Sequence, residues 1–291
     1  MRSQAVSQPS LTSQIQLYRA VTLLQCLTCL KSVGSAWTDS SNSAADEWPA
    51  GTPRNKRPLM TTNTSRFDAV LFDAGGVLVL PDPTVLAPLL DFYGGDASIE
   101  VHRRAHYAGM RDKSREGSLE DEWLVYDAAY VAAVGVRSAD RSEAADVLNR
   151  TRTPDLWRWP IPETLVALRR LAAADVPIGV VSNASGQVEG SLNRSVCQVG
   201  EGPFVSVRCI VDSHVVGVAK PDPTIFDYAL PYFPNFKRSR IAYIGDSVAM
   251  DIRSSTAAGL HPILMDPHED HAGADFERIT SVDVIADELC G

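Results

Sequence analysis

The chain has 291 residues, 45 % hydrophobic and 22 % charged, with a net charge of −9. That length permits one large domain or two modest ones with a real core, and the composition excludes a disulfide scaffold and a coiled coil. The charge is uneven: residues 1–59 carry six Lys/Arg against three acids, hence +3, which leaves −12 on the remainder. An acidic body argues against broad binding to a nucleic-acid backbone, yet permits one small phosphate held by local groups and a cation.

Residues 1–66 are rich in Ser, Thr, Gln and Asn and lack sustained periodicity, so a disordered extension is predicted there. Its one apolar run, Ala20–Leu30, is too short to span a membrane. A signal-peptide reading, with Arg2 and Arg19 before the run and Ser35-Ala36 after it, is opposed by the long polar segment in front. Met60 is a candidate start shortly before the first strand. Cys26 and Cys29 have metal-pair spacing but no second pair to complete a site. Cys197, Cys209 and Cys290 are scattered, which points to a reducing, cytoplasmic compartment.

From Phe67 onward short apolar runs alternate with helical patterns. Asp68–Phe72 is a predicted buried strand ending at Asp73 and followed by Gly75-Gly76. Residues 84–158 then read as helices without strands. Within them Ser118-Leu119-Glu120-Asp121 resembles a capping box, opening a helix that carries Trp123, Tyr126 and Tyr130. The chain returns through Arg158–Pro162 into a helix over Pro162–Ala174. Further strands are predicted at Pro177–Val181, Arg208–Val211, Ile241–Ile244 and Pro262–Met265, with helices over Pro223–Leu230 and Ser247–Ala258. Strand–helix alternation implies an α/β fold with a doubly wound parallel sheet over 67–83 and 159–291, and 84–158 reads as a helical insert after the first strand, a second small domain.

In such sheets ligands bind beyond the carboxyl ends of the strands. Asp73, Ser182-Asn183 and Asp246 lie at such ends, Lys220 lies on a turn before a helix, and Asp251 follows in the first turn after Asp246. A carboxylate can attack phosphorus to give an acyl phosphate that water hydrolyses. A cation must then offset the repulsion, and Mg²⁺ suits a few carboxylates plus phosphate oxygens. Ser182 and Lys220 can bind the remaining phosphate oxygens. Each residue alone has a plainer reading, as a turn, a cap or a surface lysine. Their joint order and placement favours chemistry.

Phe72-Asp73-Ala74-Gly75-Gly76-Val77-Leu78, Val181-Ser182-Asn183, Lys220-Pro221-Asp222-Pro223 and Gly245-Asp246-Ser247 with Asp251, in that order, resemble the four motifs of the haloacid dehalogenase superfamily over about residues 67–267. The resemblance implies a Rossmann-like core under a small all-helical cap domain over 84–158, and a Mg²⁺-dependent hydrolase with Asp73 as nucleophile and metal ligand, Asp246 as metal ligand and Gly75 offering its carbonyl to the metal. It implies Ser182 and Lys220 as phosphate binders, with Asn183 beside them and Asp251 in support. The expected substrate is a small phosphorylated metabolite, with no nucleic-acid or membrane partner and a monomer or homodimer as the working unit.

One position departs from that pattern. Most phosphatases of the superfamily carry a second Asp two residues after the nucleophile, as general acid and base, and here that position is Gly75. Three readings follow: a phosphatase with a good leaving group or an acid borrowed from the cap; a metal-independent 2-haloacid dehalogenase; and a weak enzyme that binds a ligand or partner. The acidic pair Asp246 and Asp251 favours the first. The run His102, Arg103, Arg104, His106, Arg111, Lys113 and Arg115 reads as a solvated helix face. If it faces the site instead, Arg111 or Arg115 binds a second anionic group, and His106 is a candidate acid.

Overall fold

The computed structural model describes residues 65–117 and 122–291. The expected N-terminal extension up to residue 64, the Cys26–Cys29 pair, Met60 and the Ser118–Asp121 capping box lie outside those residues.

Six parallel strands form the central sheet in the order β10-β9-β8-β1-β4-β7. They are β1 (Ala69–Phe72), β4 (Ile178–Ser182), β7 (Ile210–Asp212), β8 (Ile241–Gly245), β9 (His261–Met265) and β10 (Glu277–Ile279). The chain runs outward from β1 through β4 to β7, then crosses back to β8 and runs outward the other way. The winding therefore reverses between β1 and β8, where a crevice opens at the carboxyl ends in folds of this class. Asp73 and Asp246 directly follow those two strands.

The strands are continuous apolar runs because both faces of the sheet are covered. Val70 and Phe72 of β1 join one buried cluster with Ile178, Val180, Ala242 and Ile244. Ala69 and Leu71 join the other, with Val181, Ile241 and Tyr243. Helix α5 (Pro162–Ala173) packs its buried Ala167, Leu168 and Leu171 on the first face, with Pro162 at its first turn where a missing N–H costs nothing.

Between β1 and α5 lies the helical segment. A short strand β2 (Val79–Pro81) pairs antiparallel with β3 (Trp157–Pro160). Four helices run between them: α1 (Pro83–Asp91), α2 (Ile99–Glu116), α3 (Leu124–Ala133) and α4 (Arg141–Thr151). Asp82 starts α1 by accepting the Thr84 N–H at 2.9 Å. A third buried cluster draws on this segment alone, with Leu86, Leu90, Tyr126, Tyr130, Val131 and Leu148 among its members. The helices α2 and α3 approach closely because residue 109 is glycine: a Cβ there would sit 2.4 Å from the Tyr126 ring.

Several local expectations need correction. The stretch 84–158 contains strand residues at its end, since β3 begins at Trp157. Pro223–Leu230 forms tight 3₁₀ turns over Pro223–Tyr228 and Leu230–Tyr232 instead of an α-helix, with the break at Ala229 and Pro231 early in the second turn. The helix expected over Ser247–Ala258 begins as a wide π turn, Val248–Ile252, before α8 (Arg253–Ala257). Strand β10 carries only one fully buried residue, Ile279, and so has little apolar signal.

Candidate active site

Asp73, Ser182, Lys220, Asp246 and Asp251 all line one cavity of about 460 Å³. Strand β1 places Asp73, its N–H held by the Ile244 carbonyl of β8 at 2.8 Å. Strand β4 ends at Ser182 and β8 at Gly245, with Asp246 next. Two glycines make the crowding possible. Gly76 has φ +67°, and a Cβ on it would lie 1.8 Å from Asp246 Oδ2. A Cβ on Gly245 would lie 2.2 Å from Asp251 Cγ. Any side chain at either position would displace a carboxylate.

Lys220 is buried between the acids. Its Nζ lies 3.0 Å from Asp73 Oδ1 and 2.6 Å from Asp251 Oδ1, and it donates to Tyr243 OH at 2.9 Å. Asn183, expected to bind substrate, lines the cavity and also holds the lysine: its Oδ1 accepts the Lys220 N–H at 2.8 Å and its Nδ2 donates to the Lys220 carbonyl at 2.9 Å. Asp251 is held from two sides, because Oδ2 accepts the Ser247 N–H at 2.9 Å while Oδ1 takes Lys220. Burial works against the Lys220 ammonium, yet Asp251 and Asp73 hold its pKa above the ordinary value.

The charge is unbalanced. Asp73, Asp246 and Asp251 bring ligand atoms within 4.8 Å of one another. Burial pushes the Asp73 carboxyl up to about 7, with Asp251 and Asp246 adding to the rise and Lys220 opposing it. Burial likewise raises Asp246, against the pull of His106. Asp73 Oδ1 is buried and meets Lys220 Nζ at 3.0 Å as an ion pair outside good hydrogen-bond geometry. Three buried carboxylates with one lysine among them fit a divalent cation with oxygen ligands, and Gly75 lines the same cavity.

The helical segment reaches this floor through α2. His106 lies in the cavity wall with its Nε2 2.9 Å from Asp246 Oδ2 and its Nδ1 2.9 Å from Tyr126 OH. Tyr107 OH donates to the Gly76 carbonyl at 2.8 Å. The solvated-face reading of the basic run therefore fails for His102, His106 and Lys113, which are buried. Arg111 and Arg115, expected to bind substrate, are absent from the described lining of this cavity. Arg111 pairs with Asp112 and Asp270, and Arg115 is 63 % exposed.

Trp157, Arg152 and Tyr243 join the site without any motif to announce them. Tyr243 carried one signal, a hydroxyl inside an apolar strand that must find a partner. That hydroxyl lies 3.0 Å from the Val181 carbonyl and 2.9 Å from Asp251 Oδ1.

Comparison with known proteins gives the family of the chain. The family model for "haloacid dehalogenase-like hydrolase" matches residues 67–259. A pyrimidine 5'-nucleotidase, YjjG of Escherichia coli (strain K12), is 44 % identical over 110 residues, 38 % of this chain and 46 % of that protein. The match thus spans about half the length of that curated relative. The HAD-hydrolase YfnB of Bacillus subtilis, solved bound to magnesium, superposes with a TM-score of 0.50 at 19 % identity over 77 % of this chain and 99 % of that one. A 2-haloacid dehalogenase from Pseudomonas syringae superposes with a TM-score of 0.45 at 20 % identity, over 77 % and 98 % of the two chains. With two thirds of its length matched by the family model and the four motif segments gathered at one end of a parallel sheet, the chain belongs to the haloacid dehalogenase-like hydrolases.

Proposed function

We propose that the protein is a Mg²⁺-dependent phosphatase of small phosphate monoesters, working through an aspartyl phosphate on Asp73. The observation that carries this reading is the buried carboxylate trio, Asp73, Asp246 and Asp251, gathered around the one ammonium of Lys220. Asp73, Asp246 and the Gly75 carbonyl are the residues to hold the cation, and its chemistry there is to offset the negative charge of phosphate and carboxylate together.

The Asp73 carboxylate attacks phosphorus, and the ester oxygen leaves. Ser182 and Lys220 bind the phosphoryl oxygens and steady the charge that spreads over them. Asn183 and Asp251 keep Lys220 in place, one through its main chain and the other through its ammonium. Water then cleaves the acyl phosphate and regenerates Asp73. In this reading residues 84–158 act as a cap over the reacting phosphate and exclude bulk water.

A dehalogenase reading keeps one observation in its favour, since Gly75 supplies no acid and a halide needs none. The acidic trio supports the phosphatase instead. The named activity of YjjG puts pyrimidine nucleoside monophosphates on the test panel, beside p-nitrophenyl phosphate and sugar phosphates. Phosphate release that requires Mg²⁺ and stops with EDTA is expected. Halide release from a 2-haloacid in EDTA, with no phosphate from any ester, would establish the other chemistry. The three described cysteines, Cys197, Cys209 and Cys290, form no disulfide, which suits a reducing cytoplasm. Among the described residues no helix is long and apolar enough to cross a membrane.

A further inference from the structure

An ester whose leaving oxygen is an alkoxide needs a proton as the bond breaks, and supplying it is worth ~10²–10⁴ in rate. Six titratable side chains among the described residues line the cavity: Asp73, His106, Arg152, Lys220, Asp246 and Asp251. Asp73 is the attacking group. Lys220 lies between Asp73 and Asp251. His106 has both ring nitrogens engaged, on Asp246 and on Tyr126. Arg152 pairs with the buried Asp127, and a guanidinium does not give up its proton. None of the six stands free to protonate a leaving oxygen.

The space from which residue 75 would have reached that oxygen is occupied by an indole. Trp157 Cδ1 and Nε1 both lie 3.3 Å from where a Cβ on Gly75 would be. The pairing of Trp157 with Pro81 in the β2–β3 ladder holds it there. Its neighbour Trp123, with ring centroids 5.6 Å apart, carries Lys113 Nζ at 4.0 Å and the Arg152 guanidinium at 4.3 Å from its own centroid. Trp123 is thereby engaged by cations, and Trp157 is the ring beside the nucleophile turn.

From these two features we infer that the site selects aryl phosphates: monoesters whose leaving oxygen is carried by a flat aromatic ring, with that ring laid against Trp157. This rests on the phosphatase reading above. Asp73 forms a P–O bond while the ester P–O bond breaks, and the electron pair departs on an aryloxide, which the ring stabilises without a proton from the protein. Water then attacks the acyl phosphate. Its oxygen and one hydrogen leave in hydrogen phosphate, and its other proton reaches the aryloxide through solvent. Arrangement and chemistry agree, since the residue that removes the acid, Gly75, is also the one that admits the indole.

The test is kcat/KM with Mg²⁺ for a series of substituted phenyl phosphates and for glycerol phosphate, glucose 6-phosphate and a nucleoside 5'-monophosphate. The expected result is a steep fall of kcat/KM as the leaving-group pKa rises, with aryl esters ahead of alkyl esters by about 100-fold or more. Trp157→Leu should shrink the aryl-to-alkyl ratio about tenfold, and Trp157→Phe should restore most of it. As a check on the unaltered protein, phenylphosphonate should inhibit more tightly than methylphosphonate. Phosphate release with no aryl preference, or a ratio that Trp157→Leu leaves unmoved, overturns the inference while the phosphatase reading stands. No phosphate from any ester overturns both. Equal inhibition by the two phosphonates overturns the role of Trp157 even if the variants fail to fold.

Discussion

On the sheet side of the cavity, Asp73, Ser182 and Asp246 are fixed by the strands they follow, and like charges are crowded together. On the helical side, His106, Trp123, Arg152 and Trp157 come from α2, the α3 entry, the chain after α4 and β3, and they are fixed mainly by one another. The sheet side crowds three carboxylates around one lysine, a strained arrangement that a bound cation would relieve. The helical side is largely satisfied by pairs such as His106–Tyr126 and Arg152–Asp127, although Arg152 Nε has no partner. A strained acidic wall facing a mostly satisfied one is what the proposed cation-dependent site would need.

The largest expected effect lies on the strained wall. Asp73→Asn should reduce phosphate release to background, because an amide cannot serve as the nucleophile. In EDTA the same change removes one of three crowded charges, so the melting temperature should rise by about 2–4 °C. A fall in both activity and melting temperature would erase the contrast between the two walls. Calorimetry beside an activity assay reads both quantities.

The satisfied wall should respond in the opposite sense. Asp127 is fully buried and pairs with Arg152, whose side chain is 11 % exposed. Asp127→Ala leaves that guanidinium without its partner and should cost about 3–5 kcal/mol, read from the urea midpoint. Loss of less than about 1 kcal/mol would mean that Arg152 is held by Trp123 and Tyr126 alone.

The smallest effect belongs to the part-buried junction between the walls. Arg104 Nη2 donates to Asp270 Oδ1 at 2.8 Å, and Arg111 Nη1 lies 3.3 Å from the same oxygen. The Arg104 hydrogen bond holds the Asp270 carboxyl below its ordinary pKa, with Arg111 helping. A lowered carboxylate contributes stability above its unfolded pKa of about 3.9 and loses that contribution as pH falls through the folded value. Asp270→Asn should therefore lower the melting temperature by a few degrees at pH 6–8, and the gap should start to shrink below about pH 4 and keep shrinking as pH falls through the folded value. A gap that does not shrink with acidification would assign the effect to packing.

The same contrast explains what could be read from the sequence. Asp73, Ser182 and Asp246 were legible because a strand buried on both faces writes itself as an apolar run, and the polar residue after it marks the end of the sheet. Lys220 and Asp251 were legible by their order along the chain. Asn183 was legible as a cavity residue, whereas its hold on the Lys220 main chain leaves no trace in the sequence. Arg111 and Arg115 share a helix with His106, but helical periodicity cannot say which residues meet a partner until that partner is known. Trp157 and Arg152 acquire meaning only when β3 folds back on β2. Strand β10, with one fully buried residue, was too short a run to register at all.

Trp157 also gives the molecule an optical property. Of the three tryptophans in the described residues, Trp123 and Trp157 line the cavity and Trp159 does not. On the proposed binding mode, a ring that settles on Trp157 would displace water from the indole and quench or shift its emission, whereas orthophosphate alone brings no ring to it. Intrinsic fluorescence can therefore follow occupancy of the aromatic wall separately from occupancy of the phosphate floor, without a label and in a protein whose nucleophile has been removed.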